Sequence, residues 1–391
     1  MICILDLGTS KISSILVKDI DSSPEVVAFS SIETSAIKTG SIINIGLISE
    51  DVSKCINELE SKAGEKIKDI IVSFSGEQIS SINSSGSVII RQKEVTARDV
   101  QSALNMSSTL KVPNDKTLLY VYPNEYTIDG QSGIEEPIGM NGVKLEAKTH
   151  LIYCLQNAID NISKCIEELN DLRIKKIYFN QLGAAHSVLT LDQRELGVCL
   201  LDIGAGTTDL TIYKGGSIRF SKVFPYAGDF ITETIATSLK ITSTQAEEVK
   251  KKYGCAILDS DSQDLLRITG INGNRDAEIS RKALSEVIEK SLTRIIEHCA
   301  SCVEDNGMLA SIPTGYVLTG GTANLEGVKK LGKNVTKTNF ELGLPTIEIP
   351  SKSEQLIKPQ FSPILGMIKF CILEQNKQFT FNQSRGIIGR M

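Results

Sequence analysis

Apolar residues along this chain fall into short runs typical of strands, separated by longer stretches with helical spacing. Runs at 2–7, 12–17 and 26–29 predict a meander of three strands. Apolar positions recur every three to four residues over 48–63, which predicts an amphipathic helix, and a further strand is predicted at 67–75. Strands that alternate with helices in this way favour an α/β fold.

The segment 80–154 has more strand character than its surroundings. It contains predicted strands at 86–91, 117–128 and 143–154 and a helix at 96–107. Its length of roughly 75 residues is sufficient for a small domain. Beyond it, the pattern predicts a hairpin at 197–225 and helices at 158–171, 181–190, 278–306 and 363–374.

Two predicted hairpins far apart in the sequence share one pattern. They are ILDLGTSK at 4–11 and LLDIGAGTTD at 200–209. In each, an apolar run ends in Asp, a turn with Gly follows, and a second run begins. Such turns crowd backbone N–H groups and hydroxyls at one tip, a geometry that binds anions. A single hairpin is equally well explained as a tight turn with an Asx hydrogen bond, but two of them indicate a duplicated domain with a nucleotide between its halves.

The chemistry of both tips suits a nucleotide with a divalent cation. Asp6 and Asp202 end the first strand of each hairpin, where carboxylates hold Mg²⁺ mainly through its waters. Hydroxyls, glycine N–H groups and one lysine are suited to phosphate. The phosphate-binding candidates are Gly8, Thr9, Ser10 and Lys11 in the first hairpin and Gly204, Ala205, Gly206, Thr207 and Thr208 in the second.

Two further patterns are candidates for binding the nucleoside. Gly320, Gly321 and Thr322 follow a short apolar run, and the glycine pair would let an adenine lie against the backbone; helix packing alone also explains such a pair. Glu247 and Lys250 are suited to ribose hydroxyls, although their i, i+3 spacing by itself favours a solvated ion pair.

Composition narrows the class of protein. A chain of 391 residues is too long for one ordinary core, so at least two lobes are expected. The net charge of −5 argues against nucleic acid as a partner. The first residues contain neither a basic stretch nor a small-residue cleavage site, and the 9 cysteines are scattered, which together favour a cytoplasmic protein with reduced thiols.

Several stretches resemble the FtsA family of bacterial cell-division proteins, within the actin/Hsp70/sugar-kinase superfamily. They are SGEQIS at 75–80, EVTARDV at 94–100, AKTHL at 147–151, RELGV through KGG at 194–216, and PYAG at 225–228. The resemblance implies an actin-like ATPase fold, in which two ribonuclease-H-like lobes surround a nucleotide cleft and subdomain 1C replaces 1B. The implied boundaries are 1–79, 155–190 and 351–375 for 1A, 80–154 for 1C, 191–228 and 307–350 for 2A, 229–306 for 2B, and 376–391 for a tail.

The same resemblance implies a function and partners. Members of the family bind ATP and Mg²⁺, polymerise head to tail and lie on the cytoplasmic face of the membrane at midcell. They bind the tail of the ring protein FtsZ through 2B and recruit later division proteins through 1C. The corresponding connecting helix begins here with Asn180 and Gln181, which are neutral, so Gln181 could orient a water and weak or absent ATP turnover is expected.

The tail departs from the family pattern. Ile387, Ile388 and Met391 share a face near two arginines, but two glycines in the last six residues each cost about 1 kcal/mol in a helix. We expect a vestigial membrane anchor with a frayed end and weak membrane contact.

Three alternatives lie within the superfamily. A PilM-like adaptor of an inner-membrane assembly is the main one, although the stretches at 94–100, 147–151 and 194–228 favour FtsA. A sugar kinase would need an Asp base facing a substrate pocket, and an Hsp70-type chaperone would need a peptide-binding domain.

Overall fold

A computed structural model gives the structure of the chain and describes residues 1–18, 24–109, 115–167, 169, 172–258, 265–268, 277–346 and 356–388, with side chains described up to 375. The strands are β1 (Ile2–Leu7), β2 (Lys11–Lys18), β3 (Glu25–Glu33), β4 (Ile37–Lys38), β5 (Ser41–Ile42), β6 (Asp69–Phe74), β7 (Ile79–Ile89), β8 (Lys116–Ile128), β9 (Gln131–Ile134), β10 (Lys144–Leu155), β11 (Arg173–Phe179), β12 (Val198–Ile203), β13 (Thr208–Lys214), β14 (Ser217–Phe224), β15 (Leu265–Ile268), β16 (Ala277–Ser280), β17 (Tyr316–Thr319) and β18 (Phe340–Leu342). The helices are α1 (Ile45–Ala63), α2 (Ala97–Thr109), α3 (Gln156–Glu167), α4 (Asn180–Val188), α5 (Leu191–Leu196), α6 (Gly228–Leu239), α7 (Ser243–Tyr253), α8 (Arg281–Asp305), α9 (Val328–Thr336) and α10 (Ser362–Ile388).

Two five-stranded sheets repeat one topology. The first has the order β11-β6-β1-β2-β3 and the second β14-β13-β12-β17-β18. In each, an antiparallel meander is extended by two parallel strands on the side of its first strand. This repetition confirms the duplicated α/β lobes that the paired hairpins predict. The part of the chain up to α4, together with α10, forms one lobe, here called lobe 1, and β12 to β18 form lobe 2.

A four-stranded sheet with the order β7-β10-β8-β9 forms a module between β6 and α3. Its own apolar core lies under α2 and includes Val100, Ala103 and Leu145. The module contacts lobe 2 through polar groups: the ring of His150 pairs with Ser221 Oγ at 2.9 Å, and Asn83 Nδ2 donates to the carbonyl of Arg219 at 2.9 Å.

Helices α4 and α10 cross in lobe 1 at a very short distance. A Cβ atom added at Gly366 would overlap the carbonyl of Gly183, and one added at Gly183 would overlap the carbonyl of Pro363. The crossing therefore depends on glycine at both positions. It fixes the start of α4, which carries Gln181, against the start of α10.

Three predicted elements differ from the structure. The long helix begins at Arg281 because Ser280 caps it, its side chain accepting a hydrogen bond from the N–H of Ala283. Strand β7 begins at Ile79, well before the predicted residue 86. Helix α10 continues to Ile388 instead of ending near 374, since no proline follows Pro363 to stop it.

Parts of the remaining predictions cannot be compared with the structure. The segment 259–276 is described only at 265–268, and residues 389–391 of the predicted tail lie outside the described residues. The subdomain boundaries stay a prediction. Over the part of the chain that is described, none of the helices is both long and apolar enough to cross a membrane.

Candidate functional site

The first hairpin joins β1 to β2 through a turn closed by the N–H of Gly8, which donates to the carbonyl of Lys11 at 3.1 Å. The side chain of Thr9 faces the neighbouring turn, where its Oγ1 accepts from the N–H of Gly40 at 3.2 Å. Ser10 is exposed at the tip. The first hairpin thus contacts the turn at Gly40 through Thr9 and exposes Ser10.

The second hairpin joins β12 to β13 with the same closure. The N–H of Gly204 donates to the carbonyl of Thr207 at 3.0 Å. Thr207 and Thr208 are both buried, and Thr208 Oγ1 donates to the carbonyl of Tyr226 at 2.5 Å. The N–H of Asp229 in α6 donates to the carbonyl of Ala205 at 2.7 Å, so α6 holds this tip in place.

The two tips meet across the cleft between the lobes. A Cβ atom added at Gly206 would lie 2.6 Å from Thr9 Oγ1 and 3.0 Å from the backbone nitrogen of Thr39. Real side chains essentially never approach so closely, so glycine is required where the second tip contacts the first. The structure thus brings together the phosphate-binding candidates of both hairpins.

Three carboxyl groups are buried at the base of the hairpins. Burial raises the pKa of Asp6 to about 6, although a hydrogen bond from Ser73 Oγ at 2.8 Å and the charge of Lys11 oppose the rise. Burial and repulsion by Asp6 raise the pKa of Asp202 to about 7. Burial, repulsion by Asp202 and then by Asp6 raise the pKa of Asp209 well above its usual range. A cation between these carboxylates would offset both the cost of burying their charges and their mutual repulsion.

The ammonium group of Lys11 lies close to this acidic cluster. Burial lowers its pKa to about 8, while Asp6 and Asp202 oppose that fall. Its Nζ lies 3.8 Å from the centre of the Phe361 ring. A compact cation at the mouth of a phosphate-binding turn is suited to a terminal phosphate.

The third candidate element packs directly on the second hairpin. Gly320 has φ +87°, and a Cβ there would overlap the carboxylate of Asp202. Thr322 Oγ1 donates to the carbonyl of Gly204 at 3.4 Å. Gly321 has open space around its Cα, where a flat ligand could lie against the backbone.

Glu247 and Lys250 form an ion pair, as their spacing predicts. The pair lies against the second hairpin and is not simply solvated. Lys250 Nζ contacts Glu247 Oε2 at 2.6 Å, the carbonyl of Gly228 at 2.9 Å and Thr232 Oγ1 at 2.7 Å. Its side chain is only 12% exposed. Because the N–H of Gly228 donates to the carbonyl of Gly204 at 3.0 Å, this pair is one residue away from the phosphate-binding turn.

Gln181, at the start of α4, points into the same cleft. Its Nε2 donates to the carbonyl of Asp209 at 2.9 Å. Its Oε1 and the Oδ1 of Asn180 are buried without a hydrogen-bond partner among the described residues. Buried polar atoms without partners are rare in folded proteins, so both oxygens indicate a place for a ligand or its bound water.

Sequence reasoning missed four residues of this site: Asp209, Ser75, Thr39 and Phe361. Asp209 accepts from Ser75 Oγ at 2.5 Å across the cleft. Asp209 could have been found, since it follows the second turn by two residues and faces Asp202 across the hairpin. Thr39 and Phe361 had no signal, because nothing in their neighbourhood marks a contact with a residue so distant in sequence.

The arrangement can bind an anion and a divalent cation together. The tips of both hairpins present backbone N–H groups and hydroxyls. The carboxyl groups of Asp6 and Asp202 lie at the base of the hairpins, and the ammonium of Lys11 lies beside them. No group of three or more His, Cys, Asp or Glu side chains within the described ranges is arranged to hold a metal ion on its own. Asp6 and Asp202 could hold a Mg²⁺ ion through its waters, the coordination that this ion prefers.

Solved structures share this fold at low sequence identity. A chain of the PilM–PilN type IV pilus biogenesis complex superposes with a TM-score of 0.67 and 17% identity, covering 95% of this chain and 98% of that one. MreB5 of Spiroplasma citri bound to ADP gives a TM-score of 0.59 and 13% identity, covering 96% of this chain and 98% of that one. These similarities confirm the actin-like fold and, being similarities of fold alone, do not favour the PilM-like alternative.

Similarity in sequence is much more specific. The model of cell division protein FtsA matches residues 199–366, and the model of the SHS2 domain inserted in FtsA matches residues 76–153. Cell division protein FtsA of Pseudomonas aeruginosa is 35% identical over 98% of this chain and 92% of its own length. That of Escherichia coli is 31% identical over 94% of this chain and 89% of its own length. The chain belongs to the FtsA family of actin-like cell-division proteins.

Proposed function

We propose that this protein is a nucleotide-held adaptor of cell division, which binds ATP with Mg²⁺ between its two hairpins. The observation that carries the proposal is the contact of the two tips at Gly206 and Thr9, with acids behind them and Lys11 at their mouth. MreB5, which has the same fold, was solved with ADP. Hydroxyls and N–H groups of both tips would hold the phosphates, Asp6 and Asp202 would hold the Mg²⁺ waters, and the turn at 320–322 would hold the adenine.

Binding of a nucleotide between the lobes would fix their relative orientation. A ligand that contacts both lobes favours the arrangement in which both contacts are made. Gln181 is the only cleft side chain among those described at the start of α4 that is fully buried and could orient a water, and an amide is no general base. ATP therefore serves mainly as a bound ligand, with weak turnover.

Membership of the family supports the proposed partners and location. We propose that the chain polymerises head to tail, recruits later division proteins through the 80–154 module and lies on the cytoplasmic face of the membrane at midcell. The tail at 376–391 would contribute a weak membrane contact.

A pocket in lobe 2 fits the proposed FtsZ tail. The cavity has a volume of about 290 Å³ and lies between α6, α8 and the end of β14. Aromatic rings form its walls, with His298 4.8 Å from Phe224 and the guanidinium of Arg294 over Phe230 at 5.6 Å. Such a pocket suits an apolar side chain and a carboxylate of one peptide.

Two binding measurements test the proposal. Titration with a fluorescent ATP analogue in Mg²⁺ should show saturable binding that excess ATP displaces, and absence of binding would contradict the nucleotide site. Fluorescence anisotropy with an FtsZ tail peptide should show binding that Arg294→Glu weakens about tenfold. The same charge change at the exposed Lys333 of α9 is the matched control and should leave peptide affinity unchanged; equal effects of both changes would remove the pocket from the proposal.

A further inference from the structure

Residues 359–362, which include the first residue of α10, contact the end of β17 and the turn at 320–322 in lobe 2. Thr319 Oγ1 pairs with Ser362 Oγ at 2.7 Å, and the N–H of Gly320 donates to the carbonyl of Pro359 at 3.3 Å. Asn324 Nδ2 also donates to Gln360 Oε1 at 3.0 Å. Residues 359–362, here called the 359–362 turn, are therefore bonded to the element that follows β17 by side-chain and backbone groups.

The same turn reaches the first hairpin through Phe361. The Phe361 ring lies under the ammonium of Lys11, 3.8 Å from Nζ to the ring centre. Phe29 packs edge-on against Phe361 with ring centres 5.2 Å apart, which restricts the orientation of the ring. An aromatic face attracts a cation through its negative quadrupole, most strongly where water is excluded.

The ring holds Lys11 in a place that its charged neighbours alone would not fix. No carboxylate among the described residues lies within ion-pair distance of its Nζ, although Asp6 and Asp202 attract it from farther away. The charges of Lys251 and Lys358 repel it. If the Phe361 ring did not contact it, the flexible side chain of Lys11 would occupy several rotamers.

We propose that Phe361 is a positioning residue, which holds the ammonium of Lys11 at the mouth of the first hairpin for the terminal phosphate of a nucleoside triphosphate. The ring covers one side of the ammonium and leaves N–H donors free on the other. A phosphate can therefore bind without displacing the cation from the ring. Holding the side chain in advance lowers the entropy lost on binding.

A lysine held at this place would make the site select a triphosphate over a diphosphate. A positioned lysine strengthens binding of the triphosphate more than of the diphosphate, because only the triphosphate carries the group that it meets. The 359–362 turn then links three elements: the first hairpin, the adenine-side turn and the start of α10. This inference rests on the proposed nucleotide site.

A double-mutant cycle on the full chain tests it. Affinities for ATP and ADP are measured by calorimetry, in Mg²⁺, for wild type, Phe361→Leu, Phe361→Tyr, Lys11→Met and the double variant Phe361→Leu with Lys11→Met. Leucine keeps an apolar side chain without a π face, and tyrosine keeps the face. Thermal melts without nucleotide report whether each variant is folded.

We expect Phe361→Leu to weaken ATP binding about tenfold and ADP binding less than about twofold, with Phe361→Tyr close to wild type. In the Lys11→Met background, Phe361→Leu should have no further effect on ATP. Additive effects, equal losses for ATP and ADP, or tighter ATP binding by Phe361→Leu would each overturn the positioning role. If the wild type bound neither nucleotide, the proposed function itself would fail, and that result is distinct from the others.

Discussion

The two hairpins at the cleft have the same backbone and different side-chain chemistry. Asp6 stands opposite Ser13 in the first hairpin, whereas Asp202 stands opposite Asp209 in the second. The carbonyl that closes the turn belongs to Lys11 in the first and to Thr207 in the second. The first hairpin thus supplies the cation and the second supplies an extra acid.

This difference separates their structural roles. Ser13 Oγ pairs with Ser31 Oγ at 3.0 Å inside lobe 1. Asp209, at the matching place, accepts from Ser75 Oγ of the other lobe at 2.5 Å. The two hairpins share the backbone hydrogen bond that closes the turn. Their side chains at the matching place differ: Ser13 bonds within its own lobe, whereas Asp209 bonds to the other lobe.

The largest effect should come from Gly206→Ala, which removes the contact between the hairpins. The new Cβ would lie 2.6 Å from Thr9 Oγ1 and close to the backbone of Thr39, so the tips must move apart. Strain of about 1–3 kcal/mol corresponds to roughly a 5- to 150-fold loss of ATP affinity, measured by titration. Gly46→Ala in α1 meets its nearest atom at an ordinary 3.6 Å and should bind ATP normally; equal binding by both variants would show that the tips need not touch.

A smaller effect should come from Lys250→Met, which tests the support of the second hairpin alone. The carbonyl of Gly228 and the carboxylate of Glu247 would lose a charged partner, lowering the free energy of unfolding by about 1–3 kcal/mol and ATP affinity several-fold. Lys251→Met is the matched control. The Lys251 side chain is 65% exposed and its Nζ makes a solvent-exposed ion pair with Glu247 Oε1 at 3.4 Å, so its loss should change stability by less than about 1 kcal/mol. Chemical denaturation and ATP titration measure both; a larger loss for Lys251→Met would contradict the assignment.

A pH titration of stability distinguishes the acids of the two hairpins. Raised pKa values mean that the folded chain binds more protons than the unfolded chain, so stability falls as pH rises from about 4 to about 6 for Asp6 and to about 7 for Asp202. Without nucleotide or Mg²⁺, the midpoint of thermal unfolding should fall by roughly 2–4 °C between pH 6 and 7. Asp202→Asn should reduce that fall more than Asp6→Asn does, and the part that comes from Asp209, whose pKa is also raised, should remain in both variants. The same residual fall in both variants would show that the two acids do not differ.

The smallest effect on binding should come from Gln181→Ala, which touches the second hairpin only through the carbonyl of Asp209. Loss of one neutral hydrogen bond predicts less than about fivefold weaker ATP binding. Any ATP turnover, measured by phosphate release, should fall, because Gln181 is the more deeply buried of the two amide side chains at the start of α4. Turnover unchanged by the substitution would remove Gln181 from that role.

Much of the fold could be predicted from local signals. Alternating and helical spacing located β1, β2 and β8 to within a residue or two, and turn chemistry located both hairpins. The ends of longer elements were less certain: β7 begins seven residues before its prediction, because its early residues are polar and pair with β10. Those polar residues carry no apolar alternation, so only the partner strand shows that they belong to the sheet.

The residues of the candidate site also fall into those that local sequence predicts and those that depend on tertiary packing. Both Asp–Gly turns and the Gly320–Gly321 turn were predicted from short motifs, whereas Gln181 was predicted from the resemblance to the family. Glu247 and Lys250 were predicted to bind ribose hydroxyls, with a surface pair as the alternative that their spacing favours, and the structure places Lys250 against Gly228. Spacing describes neighbours on a helix surface and says nothing about what covers that surface.

By itself, the sequence determined the duplicated α/β plan, the two phosphate-type turns and the family, since hydrophobic periodicity and turn chemistry act over a few residues. Only the tertiary structure decided that Gly206 meets Thr9, that Ser75 reaches Asp209 over 134 residues of sequence, and that Phe361 lies under Lys11. These contacts depend on strand order and on how closely the lobes and helices pack. Packing of distant segments leaves no periodic trace in the chain, and for that reason the contacts between the hairpins had to be seen in the structure.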